Sequence, residues 1–419
     1  MYLFEEGNYW KILVMTGLIL LGLYFQDLYV DVKVTSRILL VQQVCLAVGS
    51  ALLVMAFMGY LKLDLLLARW MTVVGSFGVI ILVPLWRVIY WKYVAGALRS
   101  ERVLLLGNSL ILGEVIAHLN LRPEVGYSVI GYLCEDSECD FPIPCLGPMS
   151  NLRQVFDEYR PTRIVVGMAE RRNRLPIKEL LAIRFGGVMI EDAADTYEMA
   201  LRRVCSRIIQ PSQLVFSSQL GPRTHALAIQ NFYSFVIGLI GLILSAPLML
   251  GAAIAVKLSS PGPVLYRQRR VGLNGKTFTL YKFRSMYADA EARTGAVWAK
   301  VDDPRITGVG KWLRKLRLDE LPQLWNVVKG DMSIVGPRPE RPEFVELLAS
   351  QIPYYRQRLA VKPGITGWAQ INHKYGDTEL DALIKLEYDL YYIKNLAASL
   401  DFYIIFHTLK VMLLSRGAQ

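Results

Sequence analysis

Two adjacent carboxylates, Asp319 and Glu320, in the segment Leu318-Asp319-Glu320-Leu321-Pro322-Gln323-Leu324, are the groups in this chain best suited to chemistry. Leu321, Leu324, Trp325 and Val328 recur at helical spacing and Pro322 fits a first turn, so Asp319 is expected at or near a helix N-terminus. Capping is the ordinary role of an aspartate there. The acidic neighbour and the cations upstream argue instead for a nucleophile or a metal ligand. No histidine or serine adjoins Asp319, so its own carboxylate must act. The cations are grouped too. Arg269 and Arg270 stand in Gln268-Arg269-Arg270-Val271-Gly272, which reads as a loop; Lys282 and Arg284 end an alternating strand, Thr277 to Phe283. Arg305 follows Asp302-Asp303-Pro304, and Arg338 lies between two prolines in Gly336-Pro337-Arg338-Pro339. Arginine matches phosphate oxygens bidentately and lysine supplies a point charge, so the set suits a diphosphate. Stiff backbone around Arg338 would hold its guanidinium in place.

The elements that must position these groups divide in three. The composition, 53% hydrophobic with mean hydropathy +0.32, excludes a wholly soluble chain. Tyr9 to Phe25, Ile38 to Tyr60 and Met71 to Trp91 each approach the roughly 20 residues of a spanning helix. Glu5 and Glu6 stand where a cleaved leader would be basic. Arg87, Lys92, Arg99 and Arg102 place the chain beyond the third run in the cytoplasm, and three spans then put Met1 outside. From Arg102 to Pro211 strand signals (102–106, 127–133, 163–166, 187–190) alternate with helical ones (111–119, 152–159, 177–185), which predicts a parallel, doubly wound domain. Its first turn, Gly107 to Gly113, lacks the middle glycine of a dinucleotide cradle and reads as a tight turn. A fourth apolar run, Phe232 to Val256, has positive charge on both flanks and Ser245-Ala246-Pro247 at its middle. A proline bend lets such a helix enter one leaflet and return; a kinked fourth span is the alternative.

Charge is localised as well. Lys257 to Arg317 holds 14 Lys or Arg against four acids, almost the whole excess of +11, so this segment faces anions. The five cysteines read as reduced thiols, and Cys134, Cys139 and Cys145 lack a fourth metal ligand. Trp368, Tyr388, Tyr391 and Tyr392, with Lys385 and Lys394, suit either a surface at headgroup level or an ordinary core. Phe402 to Leu414 reads as an amphipathic helix.

From Phe232 to the C-terminus the chain resembles the bacterial sugar transferase family, the monotopic polyprenyl-phosphate phosphoglycosyl transferases. The resemblance rests on the proline-broken helix, Lys282-Phe283-Arg284-Ser285-Met286, the Asp319-Glu320 segment, Gly336-Pro337-Arg338-Pro339, and Lys362-Pro363-Gly364-Ile365-Thr366-Gly367-Trp368-Ala369-Gln370. The N-terminal part is similar to the large exopolysaccharide-type members, which commonly carry four spans rather than three. The implied fold is a membrane α-helical N-terminus (1–98), a Rossmann-like α/β domain (99–222) and an α+β monotopic catalytic domain (223–419) with a re-entrant helix (230–257). The implied reaction moves a sugar 1-phosphate from a UDP-sugar to undecaprenyl phosphate and releases UMP, a first membrane step toward exopolysaccharide, capsule or O-antigen. In that scheme Asp319 is the nucleophile and the Mg2+ ligand, Glu320 its acid/base partner, and Lys282 and Arg338 bind phosphate. The protein would sit in a bacterial inner membrane, multi-pass, its catalytic domain cytoplasmic among membrane lipids, without nucleic acid and plausibly as a homodimer. In this chain Ala246 separates Ser245 from Pro247, a departure from the family's Ser-Pro break. Two other readings are a metal-dependent glycosyltransferase using Asp302-Asp303 and releasing UDP, and a nucleotide-sensing regulator without catalysis.

Overall fold

Long apolar runs without strand alternation satisfy their backbone internally as helices, and three open the chain: α1 (Tyr9–Phe25), α2 (Arg37–Leu61) and α3 (Arg69–Ile89). The computed structural model describes residues 9–26, 28, 37–61, 67–95, 101–121, 126–135, 141–168, 175–207, 221, 224–287, 303, 305–373, 376 and 378–413. Met15, Ile19 and Leu23 of α1 are buried with Val44, Ala47, Val48, Ala51 and Met55 of α2. A side chain at Gly22 would run into Ala47, so a small residue sets this close approach. Leu40–Tyr60 and Arg69–Ile89 are long and apolar enough to cross a membrane, as is Thr224–Ser259 further on; α1 is apolar but shorter.

By its contacts the chain divides into two compact units, 1–108 with 116–190, and 109–115 with 191–419. Between Glu101 and Asp192, β1 (Glu101–Leu106), β2 (Tyr127–Leu133), β3 (Arg163–Val166) and β4 (Met189–Asp192) form a sheet in the order β2-β1-β3-β4, with β1 parallel to β2 and β3. The helices α4 (Leu110–Leu121), α5 (Leu152–Tyr159) and α6 (Ile177–Phe185) alternate with them, as the pattern predicts. Gly107 adopts φ +105, and a Cβ there would meet the Gly167 carbonyl, so this glycine makes the expected tight turn. Cys134 is disulfide-bonded, contrary to the expectation of reduced thiols. Cys45, Cys145 and Cys205 are free, and Cys139 and Asp302 lie outside the described residues.

The second unit holds α7 (Ala193–Leu201), then α8 (Thr224–Ser259), a single 36-residue helix with Pro247 inside it. Ser245 and Pro247 mark no gap in its helical path; the Ser245 hydroxyl reaches back to the Leu242 carbonyl at 3.5 Å. Next comes an antiparallel hairpin, β5 (Leu265–Val271) with β6 (Thr277–Phe283). Arg269 and Arg270, expected in a loop, therefore lie on a strand: their backbone pairs with Thr279 and Phe278. After α9 (Gly308–Lys315) and α10 (Gln323–Lys329) come β7 (Ser333–Val335), α11 (Pro342–Gln351) and β8 (Gly364–Thr366), the strands β7 and β8 being parallel. The chain closes with α12 (Trp368–Asn372), α13 (Glu379–Lys394) and α14 (Ala398–Leu413). Trp368 and Tyr392 are buried in the core and Tyr388 and Tyr391 pack against it, which overturns the headgroup-surface reading. Sequence spacing could not tell the two apart, because an aromatic stripe serves either setting.

Candidate active site

The site is assembled where α10 meets β6. Asn326, fully buried, accepts from the Tyr281 amide at 3.1 Å and donates to the Thr279 carbonyl at 2.7 Å, which fixes α10 alongside that strand. The turn before α10 is thereby held near Lys282. Arg317 begins that turn in the left-handed region (φ 57), and Leu318–Glu320 form a single 3-10 turn. The N-cap of α10 is Pro322, with no side-chain cap bond, so Asp319 does not spend its carboxylate on capping.

Asp319 is 8% exposed, and its Oδ1 is buried with no hydrogen-bond partner. Burial pushes its carboxyl above the usual range, the charge of Glu320 adds to this, and Lys282, Arg314 and Arg317 oppose it. Glu320 behaves in the opposite way. Its Oε1 accepts from Lys282 Nζ at 2.8 Å and Arg338 Nη2 at 2.9 Å. Burial alone would raise its carboxyl, but these two cations outweigh burial and hold it well below the usual carboxylate range. Neighbouring carboxyls are thus driven apart, Asp319 upward by burial and Glu320 downward by its two cations, a pattern common where two acids have different tasks.

Arg338 is braced through its backbone. Its carbonyl accepts from Arg358 Nη2 at 3.1 Å, and the next carbonyl, of Pro339, accepts from Arg270 Nη1 at 2.9 Å. Arg358 is itself buried against Asp389 at 2.8 Å. Gly336, ahead of Pro337, lies where a Cβ would meet Lys362 and Gly364 backbone, and its amide donates to Thr366 at 2.9 Å.

Among the expected phosphate ligands, Lys282 and Arg338 therefore meet at the Asp319-Glu320 pair, and the others are engaged elsewhere. The Arg284 guanidinium donates to the Ser260 and Pro261 carbonyls, both at 2.7 Å, closing the end of α8. Arg270 serves the Pro339 carbonyl, Arg269 is exposed beside Thr277 at 3.1 Å, and Arg305 pairs with Asp303. That last pair also occupies the one described carboxylate of Asp302-Asp303. Sequence reasoning missed Arg358, which stands 20 residues from Arg338. It missed Gln323 as well, whose side-chain nitrogen is buried without a partner one turn beyond Asp319. Only the position of Gln323 within the Asp319 segment could have pointed to it.

No group of three or more His, Cys, Asp or Glu able to hold a metal stands among the described residues. An unpartnered buried oxygen on Asp319 nonetheless suits a hard cation such as Mg2+, which takes one or two carboxylates and completes its shell with water and phosphate.

The family profile described as "Bacterial sugar transferase" matches residues 225–415. The UDP-N-acetylgalactosamine-undecaprenyl-phosphate N-acetylgalactosaminephosphotransferase of Aeromonas hydrophila is 51% identical over 176 residues, 42% of this chain and 41% of that protein. The UDP-glucose:undecaprenyl-phosphate glucose-1-phosphate transferase of Xanthomonas campestris pv. campestris is 36% identical over 320 residues, 73% of this chain and 65% of that protein. In both cases the chain spans less than two thirds of the relative's length. The exopolysaccharide production protein PSS of Rhizobium leguminosarum bv. phaseoli is 41% identical over 196 residues, 46% of this chain but 98% of that shorter protein. With a relative of 41% identity matched over nearly its whole length and the family profile on residues 225–415, the chain belongs to the bacterial sugar transferase family.

Proposed function

We propose that this protein moves a sugar 1-phosphate from a UDP-sugar to undecaprenyl phosphate and releases UMP, at the cytoplasmic face of a bacterial inner membrane. The observation that carries this reading is Asp319, buried with a free oxygen beside a Glu320 that engages both Lys282 and Arg338. A carboxylate oxygen of Asp319 attacks the phosphorus that bears the sugar; the bond from that phosphorus to the bridging oxygen breaks and UMP departs. An oxygen of the carrier phosphate then attacks the same phosphorus and restores the Asp319 carboxylate. Passing through an aspartyl phosphate keeps the anionic donor and acceptor from meeting at once. Mg2+ at Asp319 would supply charge neutralisation on the phosphate oxygens.

An ammonium carries three donors and a guanidinium five, so Lys282 and Arg338 can reach a donor diphosphate while each still donates to Glu320.

A monotopic α8 is part of the same proposal. Gln230 donates to Asp401 at 2.7 Å and Ser234 meets Ser333 at 2.8 Å near one end, while Ala252 and Val256 pack on Phe283 and Leu313 near the other. Both ends thus rest on the same catalytic unit, and Phe232, Ile243, Leu244, Leu250 and Leu258 remain exposed for lipid. A straight helix of this length measures about 54 Å against a hydrocarbon core of about 30 Å, so a simple crossing leaves the two ends on opposite sides.

The test is product analysis with purified protein, undecaprenyl phosphate, Mg2+ and a panel of UDP-sugars. UMP and an intact-mass adduct on Asp319 without acceptor are expected, and Asp319→Asn should lose both. UDP instead of UMP supports the glycosyltransferase reading, and no nucleotide product supports a regulator.

A further inference from the structure

The family match begins at residue 225, yet Glu191–Arg207 already belongs with the catalytic residues by its contacts. Its attachments are specific. The Trp368 indole N–H donates to the Arg202 carbonyl at 3.0 Å, and the Val204 amide donates to the Glu387 carbonyl at 3.0 Å. Val204 is buried in one cluster with Val271, Val345, Leu348 and Leu386. The Glu387 carboxylate has no exposed surface: Oε2 accepts from the Tyr197 hydroxyl at 2.8 Å, Oε1 from Arg207 Nε at 3.3 Å, and Arg203 Nη1 lies 3.7 Å away. Every described partner of that carboxylate comes from this segment. Glu198 adds an ion pair to Lys394 at 2.8 Å.

Both anchoring points flank the turn that carries Arg338. Trp368 directly follows Gly367, where a Cβ would collide with the Gly336 carbonyl, so the backbone leading into the tryptophan lies close against the start of that turn. Val271 donates its amide to the Glu340 carbonyl at 2.9 Å, at the turn's other end.

We propose that Glu191–Arg207 is a positioning strap that holds Trp368 and Val271 against the Gly336–Glu340 turn and so fixes where the Arg338 guanidinium stands. A strap lying before the catalytic motifs in sequence makes the placement of a phosphate ligand depend on residues outside the family match. This rests on the reading that Arg338 binds the donor diphosphate. Glu387 is its lock. Buried carboxylates need partners, so loss of Arg203 and Arg207 should release the strap, and neutralising Glu387 should let it settle again.

The experiment uses full-length protein in nanodiscs, with UMP release and amide hydrogen exchange read in parallel. Trp368→Phe keeps an aromatic ring and loses the N–H together with the five-membered ring that carries it. Arg203→Met with Arg207→Met strips both cations from Glu387 and leaves it only the Tyr197 hydroxyl, and adding Glu387→Gln removes the stranded charge. Both perturbed forms should lose roughly tenfold in kcat/KM, as misplacement of a binding group does. Exchange should accelerate in Ser333–Glu340 and stay unchanged along the middle of α8, and Glu387→Gln should recover most of the loss in the double-arginine variant. Unchanged exchange in Ser333–Glu340, or equal acceleration across the whole unit, overturns the strap, as does failure of Glu387→Gln to rescue. A wild type that releases no UMP from any UDP-sugar defeats the functional reading instead, and the exchange result still decides the strap.

Discussion

At the scale of single residues, the informative contrast is between two carboxyls that are neighbours in sequence and opposites in environment. Asp319 loses solvent and gains no partner on Oδ1, whereas Glu320 loses solvent and gains two cations. The consequence for Glu320 can be measured. A carboxyl whose folded pKa is depressed stabilises the fold above its unfolded value of 4.5, and that stability drains away as pH falls toward the folded value. Between about pH 5 and pH 3 the stability of the wild type should therefore fall more steeply than that of Glu320→Gln in acid-unfolding curves. Parallel curves would mean that the carboxyl is not held down by Lys282 and Arg338.

At the scale of elements, α8 decides the membrane topology. Its buried positions, Gln230, Ser234, Gly238, Ala252 and Val256, face the catalytic unit near both ends, and a Cβ added to Gly238 would press on Val327. Charge on both flanks of the apolar run points the same way. Single cysteines placed at Thr224 and at Ser259 should both resist an impermeant thiol reagent added outside intact cells and both react after permeabilisation. Labelling of either one from outside means that α8 crosses the bilayer. The closure of its far end by Arg284 explains why that arginine, in a motif next to Lys282, serves structure here: four of its hydrogen bonds go to Val256, Ser260 and Pro261.

For the molecule as a whole, the catalytic unit starts earlier than its motifs. A chain truncated to begin at Gln230 loses Tyr197, Arg203 and Arg207 from around Glu387 and the apolar packing of Val204. One beginning at Glu191 keeps all three. The shorter chain should melt at a clearly lower temperature, by scanning fluorimetry in the same detergent, than the longer one. Equal melting temperatures would show that residues 191–207 add nothing to the unit.

Much of this was already legible in the linear sequence. Apolar length and charge placement located the N-terminal helices, alternation located the strands of the parallel sheet within two residues, and motif spacing singled out Asp319, Glu320, Lys282 and Arg338. These features are local: helix length, strand period and motif chemistry are each written within a few dozen residues. Tertiary structure alone decided which cations reach the carboxylates. Arg270, Arg284 and Arg305 look as suitable as Lys282 in sequence, yet each is spent on a carbonyl or a carboxylate of its own surroundings. It also placed Arg358 behind Arg338 and seated Glu191–Arg207 on Glu387 and Trp368. A guanidinium binds whichever acceptor the packed chain brings within about 3 Å, and a one-dimensional pattern carries no such distance.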